Sequence, residues 1–356
     1  MINLYTREQT RVVTIKDVQI GGGNPIIIQS MCNTKTEDVK STVNQILELE
    51  RLGCEIVRVA IPNETSGLAL KEIIPQINIP VVADIHFDYK LALLAIDCGV
   101  HKLRINPGNI GAEDRVKAVV QKAKSHNIPI RIGINSGSIE KSLLKKHGEV
   151  TASAMVESAT RHIEILEQLD FSDIVVSLKA STVPLAIDAY TEFAQKYNYP
   201  LHVGITESGT LYRGTIKSSV GLGAILSRGI GDTIRVSLTD DPTKEIDCAK
   251  NILQSLNLRT FGVEIISCPT CGRTNVDLMK LANQVEEITK DIKTPLKIAV
   301  MGCVVNGPGE AREADIGIAG GNGEGIIFKK GQIVKKVHEN ELFEVFQKEM
   351  KELLAF

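Results

Sequence analysis

Short runs of β-branched and aliphatic residues, each closing on a polar side chain, recur along residues 25–237 and alternate with stretches of helical period. Eight runs fit: Ile26–Ser30, Glu55–Ala60, Pro80–Asp84, Lys102–Asn106, Pro129–Asn135, Asp173–Lys179, Leu201–Thr206 and Asp232–Leu238. The spacers include Thr36–Leu52, stopped by Gly53, and Ser153–Leu169, both with apolar positions at helical spacing. A strand–helix unit repeated eight times predicts an α/β fold, a closed (β/α)₈ TIM barrel of parallel strands. Ahead of it, Val12–Ile15 and Val18–Ile20 form a candidate hairpin over the barrel floor. An eighth helix is expected over Asp241–Leu256 and a linker over Asn257–Gly262. The pattern then changes. Strand-like Val263–Ser267, a helix near Asn275–Ile288, strands at Leu296–Gly302, Ile316–Gly320, Ile326–Lys329 and Ile333–Val337, and a last amphipathic helix predict a smaller α+β domain. The expected domains are 1–258 and 259–356.

Composition narrows the class. With 43% apolar and 24% charged residues, and no apolar run approaching the roughly 20 that span a bilayer, a soluble globular protein is expected. Met1 to Arg11 carries no apolar core of a secretory signal, so a cytoplasmic location is expected. A net charge of -2, no Trp and only 4% aromatics argue against nucleic-acid binding, which favours basic stripes and stacking rings. Seven cysteines, an odd number, favour metal binding or catalysis over disulfides in a reducing compartment.

Two of those cysteines lie three apart in Ser267-Cys-Pro-Thr-Cys-Gly-Arg273, a turn from which Cys268 and Cys271 can reach one metal or cluster. Cys303 sits in a second loop, Met301–Glu310, and both loops follow strand-like runs. No fourth Cys or nearby His completes a zinc set, since His338 is far down the chain. Three thiolates therefore favour an iron–sulfur cluster, with Glu310 the candidate for an exchangeable fourth position; a structural zinc site is the alternative. Cys54, Cys98 and Cys248 fall in helical or helix-terminal apolar contexts and read as packing residues; Cys32 follows the first barrel strand, where a loop role is the alternative to packing.

Barrel chemistry resides at the C-terminal ends of the strands. Those ends carry Arg58, then Asp84 and His86, Arg104 and Asn106, Arg131 with Asn135 and Ser136, Lys179, His202 with Glu207, and Arg235 with Ser237. Any single Arg could pair with a neighbouring Glu. Four arginines and a lysine around one mouth instead imply a multiply charged phosphate ligand, a diphosphate, because guanidinium groups pair phosphate oxygens bidentately. Asp84, His86 and Glu207 are the candidates for proton transfer, with Glu207, in the Gly204–Gly209 loop, preferred as acid.

The segments Val57–Ala60, Ala83–Phe87, Leu103–Asn109, Arg131–Ser138, Gly204–Glu207, Cys268–Arg273 and Asn306–Glu310 together resemble one family. It is the 4-hydroxy-3-methylbut-2-enyl diphosphate synthases of the non-mevalonate isoprenoid pathway, in their two-domain bacterial form. The resemblance runs essentially end to end. It implies a barrel that binds 2-C-methyl-D-erythritol 2,4-cyclodiphosphate and a ferredoxin-like domain carrying a four-iron, four-sulfur (4Fe-4S) cluster on Cys268, Cys271, Cys303 and Glu310. It also implies a homodimer whose sites are shared between chains, fed by flavodoxin or ferredoxin, with no membrane or nucleic-acid partner. Arg58, Arg104, Arg131, Lys179 and Ser237 would hold the diphosphate, with His86, Asn106, His202 and Arg235 also at the substrate. Asp84, Asn135 and Glu207 would lie near the carbon skeleton.

The implied reaction is a two-electron reductive ring opening in which the C–O bond to phosphate breaks and a hydroxyl leaves as water, protonated by Glu207. Two other readings remain open on the residues: a barrel transferase akin to dihydropteroate synthase with a zinc-stabilised appendage, and a non-enzymatic iron–sulfur sensor. The slightly acidic balance and the polar barrel mouth argue against the second.

Overall fold

A computed structural model of the chain describes residues 7–106, 109–110, 113–303, 309 and 311–354. The chain divides into two compact units, Met1–Arg259 and Thr260–Phe356. Among the described residues no helix is long and apolar enough to cross a membrane.

The first unit opens on an antiparallel hairpin, β1 (Val13–Ile15) and β2 (Val18–Ile20). The barrel strands follow as β3 (Ile27–Met31), β4 (Ile56–Ala60), β5 (Val81–Asp84), β6 (Lys102–Ile105), β7 (Ile130–Asn135), β8 (Ile174–Lys179), β9 (His202–Val203) and β10 (Thr233–Ile234). Neighbours run β8-β7-β6-β5-β4-β3-β10-β9, all parallel, and a bridge from Val176 to Leu201 joins β8 to the approach of β9. The sheet thus returns on itself as a barrel. Helices α1 (Val39–Arg51), α2 (Glu64–Ile73), α3 (Tyr89–Asp97), α4 (Glu113–Ser125), α5 (Lys141–His147), α6 (Ala152–Glu167), α7 (Val183–Lys196), α8 (Leu211–Leu226) and α9 (Pro242–Ser255) lie between and after the strands. Their starts are set by short polar caps: Asp38 accepts from the Ser41 amide, Asn63 from Ser66, Thr151 from Ala154 and Asp241 from Thr243.

Successive strand residues alternate between the helix layer and the barrel interior. At the N-terminal end the inward Ile27, Ile56, Val82 and Val175 pack with Val13, Ile15 and Ile20 of the hairpin, so apolar burial closes the floor as the sequence pattern suggested. Farther along, the same inward positions are polar: Gln29, Arg58, Asp84, Arg104, Arg131, Ser177, Lys179 and His202. The last two strands are shorter than their hydrophobic runs predicted. Ladder bonds continue singly, with the Val203 carbonyl accepting from Arg235 N–H at 3.0 Å and the Ala180 carbonyl from Thr206 N–H at 3.2 Å. Gly204 allows close packing beside β10, since a Cβ there would stand 2.7 Å from the Arg235 carbonyl oxygen and 2.8 Å from Lys179 Nζ.

In the second unit β11 (Val263–Ser267), β12 (Leu296–Met301), β13 (Ile316–Gly320), β14 (Glu324–Lys329) and β15 (Gln332–His338) form one sheet in that order. The first three are parallel and the last two antiparallel to their neighbours. Helices α10 (Leu278–Thr289) and α11 (Leu342–Leu354) cover one face, through Leu281, Val285, Phe346 and Met350 against Ile298, Val300, Ile318 and Ile327. Strand order is sequential, so the likeness to a ferredoxin rests on α+β layering and not on an interleaved order.

Candidate active site

Parallel pairing places the C-terminal ends of the barrel strands together, and their polar residues enclose a cavity of about 140 Å³. It is lined by Arg58, Asp84, His86, Arg104, Arg131, Asn135, Ser177, Lys179, Thr206, Arg235 and Ser237. Register explains the crowding: Asp84 pairs with Arg104, Arg104 with Arg131, and Asn135 with Lys179. Gly133 makes room, since a Cβ there would meet Arg104 Nε at 2.6 Å.

Positive charge is in excess. Five cationic side chains line the cavity, and two carboxylates touch them. Asp84 receives Arg104 Nη1 at 3.2 Å and His86 Nε2 at 3.2 Å, with Arg58 Nε at 3.8 Å. Burial pushes the Asp84 carboxyl up, but Arg58, His86 and Arg104 outweigh it and hold the group well below the usual carboxylate range. Three cationic groups thus converge on Asp84, the arrangement of a counter-ion. Arg235 meets the alternative raised for any single arginine: Glu245 of α9 takes its Nε and Nη2 at 3.0 Å each. Glu245 also accepts from Ser30 Oγ at 2.8 Å.

Asp84 offsets Arg104 and, at longer range, Arg58, whereas Arg131 and Lys179 make no ion pair among the described residues. Arg131 is 1% exposed, and its Nε and Nη1 have no hydrogen-bond partner among the described residues. Burial, followed by the neighbouring Arg58 and Arg104, drives its pKa well down. Lys179 is likewise lowered, first by burial and then by Arg235, Arg58 and Arg131. Arg58 falls to about 10, again mainly from burial. A buried cluster of like charges with unmet donors is a site prepared for an anion.

Four expected residues are not in the lining, among them Ser136 in the 3₁₀ turn that follows β7. His202 is buried on β9, off the cavity lining, with Nδ1 2.8 Å from Thr233 Oγ1 and Nε2 unpartnered among the described residues. Asn106 is buried past the end of β6, its carbonyl accepting from Asn109 N–H, and it does not line the cavity. Glu207 is exposed, with a left-handed φ of 52° and its carbonyl held by Lys217 Nζ at 3.0 Å, and its side chain is not among those lining the cavity. Ser177 and Thr206 were missed. Ser177 stands two positions before Lys179 on β8, so alternation alone would have found it; Thr206, in an irregular loop, had no such signal.

In the second unit β11 and β12 are adjacent and parallel, with Ser267 opposite Val300, so Cys268 and Cys303 leave the same sheet end. Gly302 N–H donates to Cys268 Sγ at 3.1 Å. Cys271 is exposed, and the Arg273 backbone amide leads the contacts that lower its thiol pKa. Buried Cys32 and Cys54 are instead pushed up to about 12 by desolvation. Cys98 and Cys248 are buried as well, so the four packing cysteines and the three loop cysteines separate as the sequence suggested. Amide donors aimed at sulfur and a thiol biased toward thiolate suit a cluster. Among the described residues no three His, Cys, Asp or Glu side chains are gathered for a metal ion. Glu310 lies outside the described residues, as do 304–308.

A family model for the GcpE TIM-barrel domain matches residues 10–250, and one for the GcpE protein C-terminal domain matches residues 264–352. The chain belongs to the GcpE family. Relatives of this family include proteins named 4-hydroxy-3-methylbut-2-en-1-yl diphosphate synthase (flavodoxin). That of Macrococcus caseolyticus is 59% identical over 99% of this chain and 95% of its own length. Those of Geobacillus thermodenitrificans and Caldanaerobacter subterraneus are each 58% identical, over 99% and 98% of this chain and 94% and 98% of their own. Among solved structures, dihydropteroate synthase from Stenotrophomonas maltophilia superposes with a TM-score of 0.52 at 11% identity, over 70% of this chain and 98% of that one. The Yersinia pestis enzyme gives 0.50 at 10%, over 69% and 98%. Those likenesses establish a shared barrel fold alone, so the transferase alternative gains only architecture from them.

Proposed function

We propose that this chain is a 4-hydroxy-3-methylbut-2-enyl diphosphate synthase, converting 2-C-methyl-D-erythritol 2,4-cyclodiphosphate to (E)-4-hydroxy-3-methylbut-2-enyl diphosphate by two-electron reductive ring opening. One observation carries it: a chain of this family has a strand-end cavity in which buried cations outnumber their carboxylates. Arg58, Arg104, Arg131 and Lys179, with Ser237, bind the diphosphate and stabilise the charge released when the ring opens. Asp84, ionised throughout, orients Arg58, Arg104 and His86, and Asn135 faces the carbon skeleton. Glu207 is the acid that protonates the departing hydroxyl; in support, Thr206 beside it lines the cavity.

Residues 1–258 form the substrate domain and 259–356 the electron-transfer domain. Cys268, Cys271 and Cys303, with Glu310, would hold a 4Fe-4S cluster. When bound, such a cluster supplies electrons singly, a chemistry no side chain offers. Flavodoxin, which the relatives' names carry, is the proposed donor, and the proposed working form is a cytoplasmic homodimer.

Anaerobic purification tests this reading. The protein should be brown, contain about four iron and four sulfide per chain, and release the linear diphosphate when given the cyclic diphosphate and reduced flavodoxin. Stoichiometric zinc without sulfide, or no product from reduced protein, would sink it.

A further inference from the structure

At the barrel mouth one thioether accepts hydrogen bonds from the cations. Met31 closes β3, half-buried, and β3 lies between β4 and β10. That strand order puts the thioether between Arg58 and Arg235. Met31 Sδ accepts from Arg58 Nε at 3.0 Å and Nη2 at 2.8 Å, and from Arg235 Nη1 at 3.6 Å. Two guanidinium groups thus converge on one sulfur.

Thioether sulfur is a weak acceptor, and bringing two like charges to one neutral atom gains little by itself. A carboxylate would hold them better. It would also cancel the charge that an incoming anion needs, as Glu245 already does in part for Arg235 and Asp84 for Arg104. We propose that Met31 is a positioning residue for the anion: its uncharged sulfur holds Arg58, and at longer range the Glu245-paired Arg235, in place at the cavity while leaving the positive charge of Arg58 available to a diphosphate. This rests on the mouth being the diphosphate site.

A methionine that only filled space would behave differently from one used as an acceptor. Leu matches its volume and apolar character, so packing alone predicts that Met31→Leu is silent and Met31→Gln harmful. A positioning role predicts the reverse order, because Gln keeps a neutral acceptor and Leu has none. Met31→Glu separates charge from hydrogen bonding, since it supplies a stronger acceptor that competes with the ligand for the same guanidinium groups.

The test is calorimetric titration of inorganic pyrophosphate into cluster-loaded protein, with steady-state kinetics and melting temperatures alongside. Met31→Leu should bind about tenfold more weakly, with KM raised and kcat held, while Met31→Gln stays within about threefold of the parent. Met31→Glu should be the weakest, by about a hundredfold, with a shallower dependence on salt. Parent-like affinity in Met31→Leu together with a loss in Met31→Gln would overturn the proposal, as would Met31→Glu binding as tightly as Met31→Gln. If the Glu variant does not fold, the Leu and Gln pair decides. Failure of the parent protein itself to bind pyrophosphate would instead overturn the assignment of the mouth.

Discussion

At the barrel mouth Arg104, Arg131 and Lys179 are buried and placed by strand register, Arg104 also by Asp84, whereas at the ends of β11 and β12 Cys271 is exposed. The mouth gathers its cations in the protein alone, leaving Arg131 donors unmet among the described residues while burial works against the charge of Arg131 and Lys179. The cysteine end has little such tension: one amide on Cys268 Sγ and a few polar contacts around Cys271. An anion site on strands can be preorganised by the barrel. A thiolate site on loops needs its inorganic partner to complete it.

That contrast can be broken most severely at the cysteines. Cys268→Ser, Cys271→Ser or Cys303→Ser should each abolish iron content and turnover together, read by metal analysis and the visible spectrum, while pyrophosphate affinity survives. Cys98→Ser should leave both intact. Loss of anion binding in the Ser variants would show that the mouth depends on the cluster and is not preorganised.

Next in size is Glu207→Gln, expected to lower kcat by roughly 10²–10⁴ while iron content and one-electron reduction remain normal. Unchanged turnover would remove Glu207 from the chemistry. At the mouth, Arg131→Ala or Lys179→Ala should weaken binding of the cyclic diphosphate by about 1.5–3 kcal/mol, one charged hydrogen bond. Calorimetry measures this, and unaltered affinity in both variants would deny that the cavity is the anion site.

The smallest effect concerns stability. Lys102 is fully buried, its Nζ has no partner among the described residues, and burial followed by Arg131 and Arg58 lowers its pKa far below the ordinary 10.5. Below that pH the unfolded chain binds a proton that the folded chain resists, so the destabilisation grows as pH falls from 10.5 toward the folded value. Lys102→Met should therefore stabilise the fold by about 1–3 kcal/mol near neutral pH, and by less above the usual lysine range. Denaturant melts at two pH values check it. A pH-independent gain would mean that Lys102 is charged and compensated when buried.

Much of this was legible from sequence because periodicity follows from backbone geometry. Strand runs separated by helical stretches gave all eight barrel strands, and polar residues closing those runs gave nine of the eleven cavity-lining side chains. Local spacing likewise separated the loop cysteines from Cys32, Cys54, Cys98 and Cys248. Ser177 was within reach of the same alternation, but two relations were not. Glu245, on the following helix, reaches Arg235, and Met31 joins Arg58 and Arg235 through pairing across strands, relations that no local pattern encodes.

The chain's own pattern thus determined the elements, their order and the chemistry available at each strand end. Only the tertiary structure decided which charges cancel. A carboxylate's reach depends on register and helix placement, so Asp84 became a counter-ion held ionised, Arg235 was partly neutralised, and Arg131 and Lys179 were left for a ligand. Burial then fixed the size of those effects, because the same charges exposed to water would be screened and nearly silent.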